Sequence, residues 1–330
     1  MTIQTAGPER PLVVRTEDAR FANLPDYPFE PNYIDVPNPV GEQPLRMHYV
    51  DEGPKDAPVV LMVHGEPAWS FLYRKMIPVF AAAGLRAIAV DQMGFGRSDK
   101  LTFAPHYTFE RHIEWLRALV IGLDLTDITL VCQDWGGPIG MGVLAREPAR
   151  FSRVAAGNTM LHTGEAALAG QIEWAAHASS DENATVGNML LDWCRESSRA
   201  EEFDASPSIP FATAREIAPE VVAAYDAPFP SEWHKAGVRH FPLLIPVTTS
   251  DPGSAINRAT WEALASFEGP FLTIFGDSDP ATRGWEKIFR ERVPGAAGQP
   301  HTTLERAGHF WQEDVGADAA AMLVDWIRGG

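Results

Sequence analysis

Apolar residues in this chain gather into short, dense runs: "LRMHYVD" (45–51), "PVVLMVH" (58–64), "LRAIAVD" (85–91), "DITLVCQ" (127–133), "SRVAAGN" (152–158) and "PFLTIFG" (270–276). Runs of this length, rich in aliphatic residues and bounded by turn formers, predict strands of a mostly parallel, buried sheet. Helix-length segments separate them. Residues 70–84 and 108–123 supply two, the second opening at Thr108 with Glu110 and Arg111 close behind as an imperfect capping box. Strands alternating with helices imply crossover connections and an α/β fold. From Met160 to about Pro246 the rhythm changes: "LLDWCRESSRAEEF" reads as helix, "DASPSIP" and "DAPFPSEW" as loops. The expected organisation is a core over 1–160, an inserted helical cap over 161–246, and the rest of the core over 247–330.

A chain of 330 residues is somewhat large for one core, which agrees with a substantial domain carrying a smaller insertion. Its net charge of −17 argues against nucleic acid and against anionic membrane surfaces, and keeps the protein soluble. The two cysteines, Cys132 and Cys194, have no metal-like spacing and suggest a reducing compartment. The N-terminus has no apolar stretch of the signal-peptide kind, and no run approaches the roughly 20 residues of a membrane helix. A cytoplasmic protein is expected. The ten histidines include no HExxH pattern, and "DQMGFGRSD" (91–99) lacks the lysine and spacing of a phosphate loop. Neither metal nor cofactor is expected. Oligomeric state is not legible here.

The chemistry concentrates around "LVCQDWGGPIG" (130–140). It has the form of a strand-to-helix nucleophile elbow, with small residues two before and two after the centre, at Cys132 and Gly136. The centre is Asp134 where such turns usually carry serine. "VHGEP" (63–67) follows a strand, as the loop with the second oxyanion-hole amide does in this architecture. "IFGDSDP" (274–280) offers Asp277 and Asp279, and "LERAGHFWQED" (304–314) places His309 in a Gly-His turn. A carboxylate is already ionised, so it can displace a leaving group from saturated carbon without a base, forming an ester on itself. His309 would then activate water against that ester, an acid orienting its imidazole. The second step creates an oxyanion, for which the backbone N–H groups of Glu66 and Trp135 are the candidate donors.

With "HGEPAWSFLYRKMIPVF", "QDWGG", "YDAPFPSEWHKAGVRHFP", "AGHFWQED" and "RTEDARFANLPDYPFEPNYIDV", the chain resembles the haloalkane dehalogenases over nearly its whole length, least at about 165–222. It is most similar to the branch with an Asp-His-Asp triad and two halide-holding tryptophans. The resemblance implies an α/β-hydrolase fold with a cap, and hydrolysis of small halogenated alkanes to alcohol and halide without a cofactor. It also favours Asp279 over Asp277 as the acid.

A departing halide needs donors that bring no negative charge, and an indole N–H qualifies. Trp135 is the first such donor. The oxyanion-loop asparagine of another branch is replaced here by Glu66, so the second donor is expected from the cap. The resemblance points to Trp174, with Trp193 as the alternative, and Phe229 is expected to line the same pocket. An epoxide hydrolase would need two cap tyrosines, and the cap holds one, Tyr225. A fluoroacetate dehalogenase would need arginines beside the nucleophile, which "DWGG" does not offer. The remaining alternative is a non-catalytic binding protein on the same fold.

Overall fold

Each of the six dense apolar runs becomes a strand, its ends within a residue of those expected. The computed structural model describes residues 10–165, 193, 197–246 and 248–329. In chain order the strands are β1 (Val13–Val14), β2 (Asn32–Val36), β3 (Leu45–Glu52), β4 (Val59–Val63), β5 (Arg86–Val90), β6 (Lys100–Leu101), β7 (Ile128–Asp134), β8 (Phe151–Thr159), β9 (Phe271–Gly276) and β10 (Thr302–Leu304). Eight form one sheet in the order β10-β9-β8-β7-β4-β5-β3-β2, while β1 and β6 pair separately. β3 runs antiparallel to both neighbours, and every other pairing in the large sheet is parallel. All five side chains of β4 are buried. Each such aliphatic side chain contributes roughly 1.5–3 kcal/mol on leaving water, which fixes β4 in the middle of the sheet.

The segment 70–84 is not one helix. It opens as a 3-10 turn over Ser70–Tyr73 with all four residues buried, and α1 (Ile77–Ala82) begins only afterwards. Pro78 sits in the first turn of α1, where a missing N–H costs nothing. α2 (Phe109–Gly122) starts as expected, the Thr108 side chain accepting the Arg111 N–H at 3.2 Å. Glu110 does not complete the box but pairs with Arg146 on α3 (Gly136–Arg146). No helix among the described residues is long and apolar enough to cross a membrane.

Among the described residues between β8 and Pro252 there is no strand, only short helices such as Ser208–Phe211, Pro219–Ala224 and Ala236–His240. Two adjacent carboxylates pin this region to the core. Asp314 accepts the backbone N–H groups of Ala214 at 3.0 Å and Arg215 at 2.8 Å, and also that of Gly308 at 2.8 Å. Glu313 accepts the Tyr225 hydroxyl and a fork of two N–H groups from Arg74, all three residues being buried. Removing one partner of a buried pair leaves the other charge without compensation. Glu313→Gln is therefore expected to destabilise the protein by about 3–5 kcal/mol, read as a lower urea midpoint at unchanged slope.

Candidate active site

The parallel strands deliver their loops to one edge of the sheet, the usual place for ligands in open α/β folds. Asp134 ends β7 in the left-handed region, at φ +50°, a strained setting for a residue with a side chain. The turn is too tight for side chains two and three residues after it. A Cβ on Gly136 would lie 1.9 Å from the Val63 carbonyl of β4, and one on Gly137 would lie 1.8 Å from Thr159 Oγ1. The crowding thus comes from the neighbouring strands, and Cys132 points its sulfur toward the Ala155 carbonyl. Thr159 also donates its hydroxyl to the Asp134 carbonyl at 2.6 Å, closing the turn from β8.

Three of the residues singled out in the sequence, Glu66, His309 and Asp279, gather at this carboxylate, Asp279 through His309. The Glu66 N–H, in the loop after β4, donates to Asp134 Oδ1 at 2.8 Å. His309, in the loop after β10, places Nε2 3.6 Å from Asp134 Oδ2 and Nδ1 3.0 Å from Asp279 Oδ1. Burial works against an imidazolium at His309, but the carboxylates of Asp279 and Asp134 outweigh it and raise its pKa. Burial likewise pushes Asp279 up. The pull of His309 and donation from Thr282 and the Ala281 N–H prevail and hold it below the ordinary carboxylate range. Asp277 is exposed and accepts the N–H groups of Arg306 and Ala307, so it caps the turn leading to His309.

A cavity of about 130 Å³ opens over Asp134, Glu66 and His309, its walls mostly apolar. Trp135 forms one wall, stacked on Phe241 with centroids 5.0 Å apart and planes 13° from parallel. Trp193, Phe211, Pro242, Ile245 and Phe310 form much of the rest. The Trp193 indole N–H donates to Glu66 Oε2 at 2.8 Å. Burial first, and the nearby Asp134 charge second, raise the Glu66 carboxyl well above its ordinary pKa. Trp174 lies outside the described residues. Trp233 is part-exposed and borders a different surface groove.

Phe229 meets a core neighbour. It packs edge-on against Phe95, at 6.3 Å and 84°, and is not among the cavity's walls. Its apolar side chain finds the core from the cap segment instead of the cavity. Two amide side chains that carried no motif prove central. Asn158, buried at the end of β8, donates to the carbonyls of Gly308 at 2.7 Å and His309 at 3.1 Å. Its oxygen accepts the Gly276 N–H at 2.8 Å, so one side chain ties β8, β9 and the histidine loop together. Its signal was a lone amide directly after the small and apolar stretch "VAAG" (154–157). Gln133 touches His309 itself, with its amide nitrogen 2.9 Å from the imidazole Nε2. Among the described residues no group of three His, Cys, Asp or Glu is placed to hold a metal ion.

Known proteins share this chain's sequence and fold. A protein-family model described as alpha/beta hydrolase fold matches residues 58–287. The chain is 47% identical over 316 residues to a haloalkane dehalogenase of Psychrobacter cryohalolentis, covering 96% of this chain and 98% of that protein. It is 43% identical over 317 residues to the haloalkane dehalogenase of Mycobacterium marinum, covering 95% and 99%. Among solved structures, the tetrameric haloalkane dehalogenase DpaA of Paraglaciecola agarilytica superposes with a TM-score of 0.81 at 34% identity, covering 94% and 97%.

Proposed function

The chain belongs to the haloalkane dehalogenases of the α/β-hydrolase fold, and from that premise we propose how its own residues divide the reaction. The protein is a hydrolase acting on carbon–halide bonds, converting a haloalkane and water to alcohol, halide and a proton. In the first step Asp134 Oδ2 attacks the carbon on the side opposite the halogen, forming the ester C–O bond as the carbon–halogen bond breaks and its electron pair leaves with the halogen as halide. In the second, water adds to Cγ of the Asp134 ester while His309 Nε2 takes its proton. The Glu66 and Trp135 N–H groups hold the resulting oxyanion, which collapses to release the alcohol. Asp279 fixes the imidazole and stabilises its charged form. One observation carries the reading: a strained carboxylate with an N–H on one oxygen and an imidazole 3.6 Å from the other.

Trp135 is the first halide donor in this scheme, its indole forming a wall of the cavity. For the second we retain Trp174, because Trp193 already commits its N–H to Glu66. We take residues 161–246 as the cap, of which Trp193, Phe211, Pro242 and Ile245 line the cavity. The epoxide-opening alternative is disfavoured by Tyr225, the cap's tyrosine, whose hydroxyl is spent on Glu313 away from the cavity.

The test is halide and proton release from purified protein given short bromoalkanes, with an epoxide in parallel. Stoichiometric bromide and proton with the epoxide untouched is the expected result. Epoxide opening without bromide release would overturn the reading.

A further inference from the structure

Gln133 is fully buried and directly precedes the nucleophile. Its side chain meets His309 twice, its nitrogen 2.9 Å from Nε2 and 3.3 Å from the backbone carbonyl oxygen. The carbonyl oxygen can only accept, so it fixes which end of the amide faces His309. Turning the amide over would set oxygen against oxygen. The nitrogen that faces Nε2 therefore carries hydrogens and no usable lone pair. Its contact is favourable only while Nε2 itself holds a lone pair. With Nδ1–H directed to Asp279 at 3.0 Å, this is the neutral tautomer able to accept a proton from water.

A protonated Nε2 would place N–H against N–H between two buried side chains, where water screens little. The groups that draw His309 toward the imidazolium come from separate strands, Asp279 after β9 and Asp134 at the end of β7, while burial and the Asp134 charge hold the Glu66 carboxyl after β4 well above its ordinary pKa. The cap side chains lining this space, Ser208, Phe211, Ala212, Pro242 and Ile245, bring no charge. Among the described side chains around His309, Gln133 acts in the opposite sense, together with burial.

We propose that Gln133 is a positioning residue of the hydrolytic step, holding His309 as the neutral base against the carboxylates that surround it. The proposal rests on His309 serving as the base in the reading above. Alkylation needs no base, so Gln133 contributes little to it. Once Asp134 is esterified it loses its charge, one pull toward the imidazolium disappears, and the amide contact then weighs more. After water has delivered its proton, the same contact favours passing that proton on to solvent, which readies His309 for the next cycle.

Two variants separate this role from mere packing. Gln133→Met keeps the length and removes the donor; Gln133→Glu supplies an acceptor that welcomes an imidazolium. In rapid mixing with a short bromoalkane, both are expected to release the first equivalent of halide at near the wild-type rate. In Gln133→Met the acid limb of ester hydrolysis moves up by about one pH unit, roughly tenfold slower on that limb. In Gln133→Glu the ester accumulates at neutral pH. A normal first equivalent with an unmoved acid limb overturns the role of Gln133. Failure of wild-type protein to form the ester at all overturns the two-step scheme beneath it, which distinguishes the two failures. Nitrogen NMR follows His309 directly in the wild type and in Gln133→Met. Its Nε2 is expected to take up its proton at a lower pH in the wild type than in the variant, and an equal or higher wild-type value overturns the proposal.

Discussion

Asp134→Ala is expected to lower halide release by at least about four orders of magnitude, since members of a concerted catalytic unit typically cost that much or more. The methyl group cannot attack carbon, and among the described residues no other carboxylate is placed to substitute. Asp279 is held by His309, Thr282 and the Ala281 N–H, and Glu66 keeps its carboxyl against Trp193. The fold should survive. The turn's shape is set by Gly136 against β4 and by the Thr159 hydroxyl on the Asp134 carbonyl, and alanine keeps that carbonyl. The variant loses one hydrogen bond, from the Glu66 N–H, and is relieved of a charge that disfavours ionisation of Glu66. These effects oppose one another, so the unfolding midpoint is expected to stay close to wild type. Bromide release near the wild-type rate by folded Asp134→Ala would remove Asp134 as the nucleophile.

The elbow was legible because its requirements are local. A left-handed turn with no room for side chains two and three residues after the nucleophile leaves its mark in adjacent residues, as "DWGG" does. The six dense runs were legible for a similar reason, since strands buried on both faces cannot hide polar residues. β2 and β10 escaped because they flank the sheet: β2 is mostly half-exposed, and β10 is three residues long. Contacts between distant residues left weaker traces. Phe229 and its partner Phe95 lie on different segments, and no local pattern says which way a cap phenylalanine points. Gln133 and Asn158 are neutral amides whose partners lie 176 and about 150 residues away, so they match no catalytic motif. For Glu66 the sequence marked the backbone N–H, but its carboxyl bonded to Trp193 required the cap and core to be seen together.

His309→Phe is expected to stop the reaction halfway. Alkylation by Asp134 needs no base, so one equivalent of halide should leave per active site at close to the wild-type rate. Hydrolysis of the ester loses its general base, an effect of about 10²–10⁴-fold. The protein should therefore accumulate as the alkyl ester, its mass raised by the substrate's alkyl group. Phenylalanine suits the site sterically, since the present ring already packs edge-on against Phe310 at 5.1 Å. Asp279 loses the imidazole but keeps the Ala281 and Thr282 N–H groups, which leaves its buried carboxylate partly compensated. Asn158 and Gln133 still hold the residue's carbonyl oxygen, so the loop should keep its place. Intact-mass measurement after substrate exposure decides the matter. An adduct mapped to Asp134 establishes both the nucleophile and the order of steps. Continued turnover at the wild-type rate would show that water reaches the ester with some other base. Loss of all halide release without an adduct would mean that His309 acts before the carbon–halogen bond breaks, which the two-step scheme forbids.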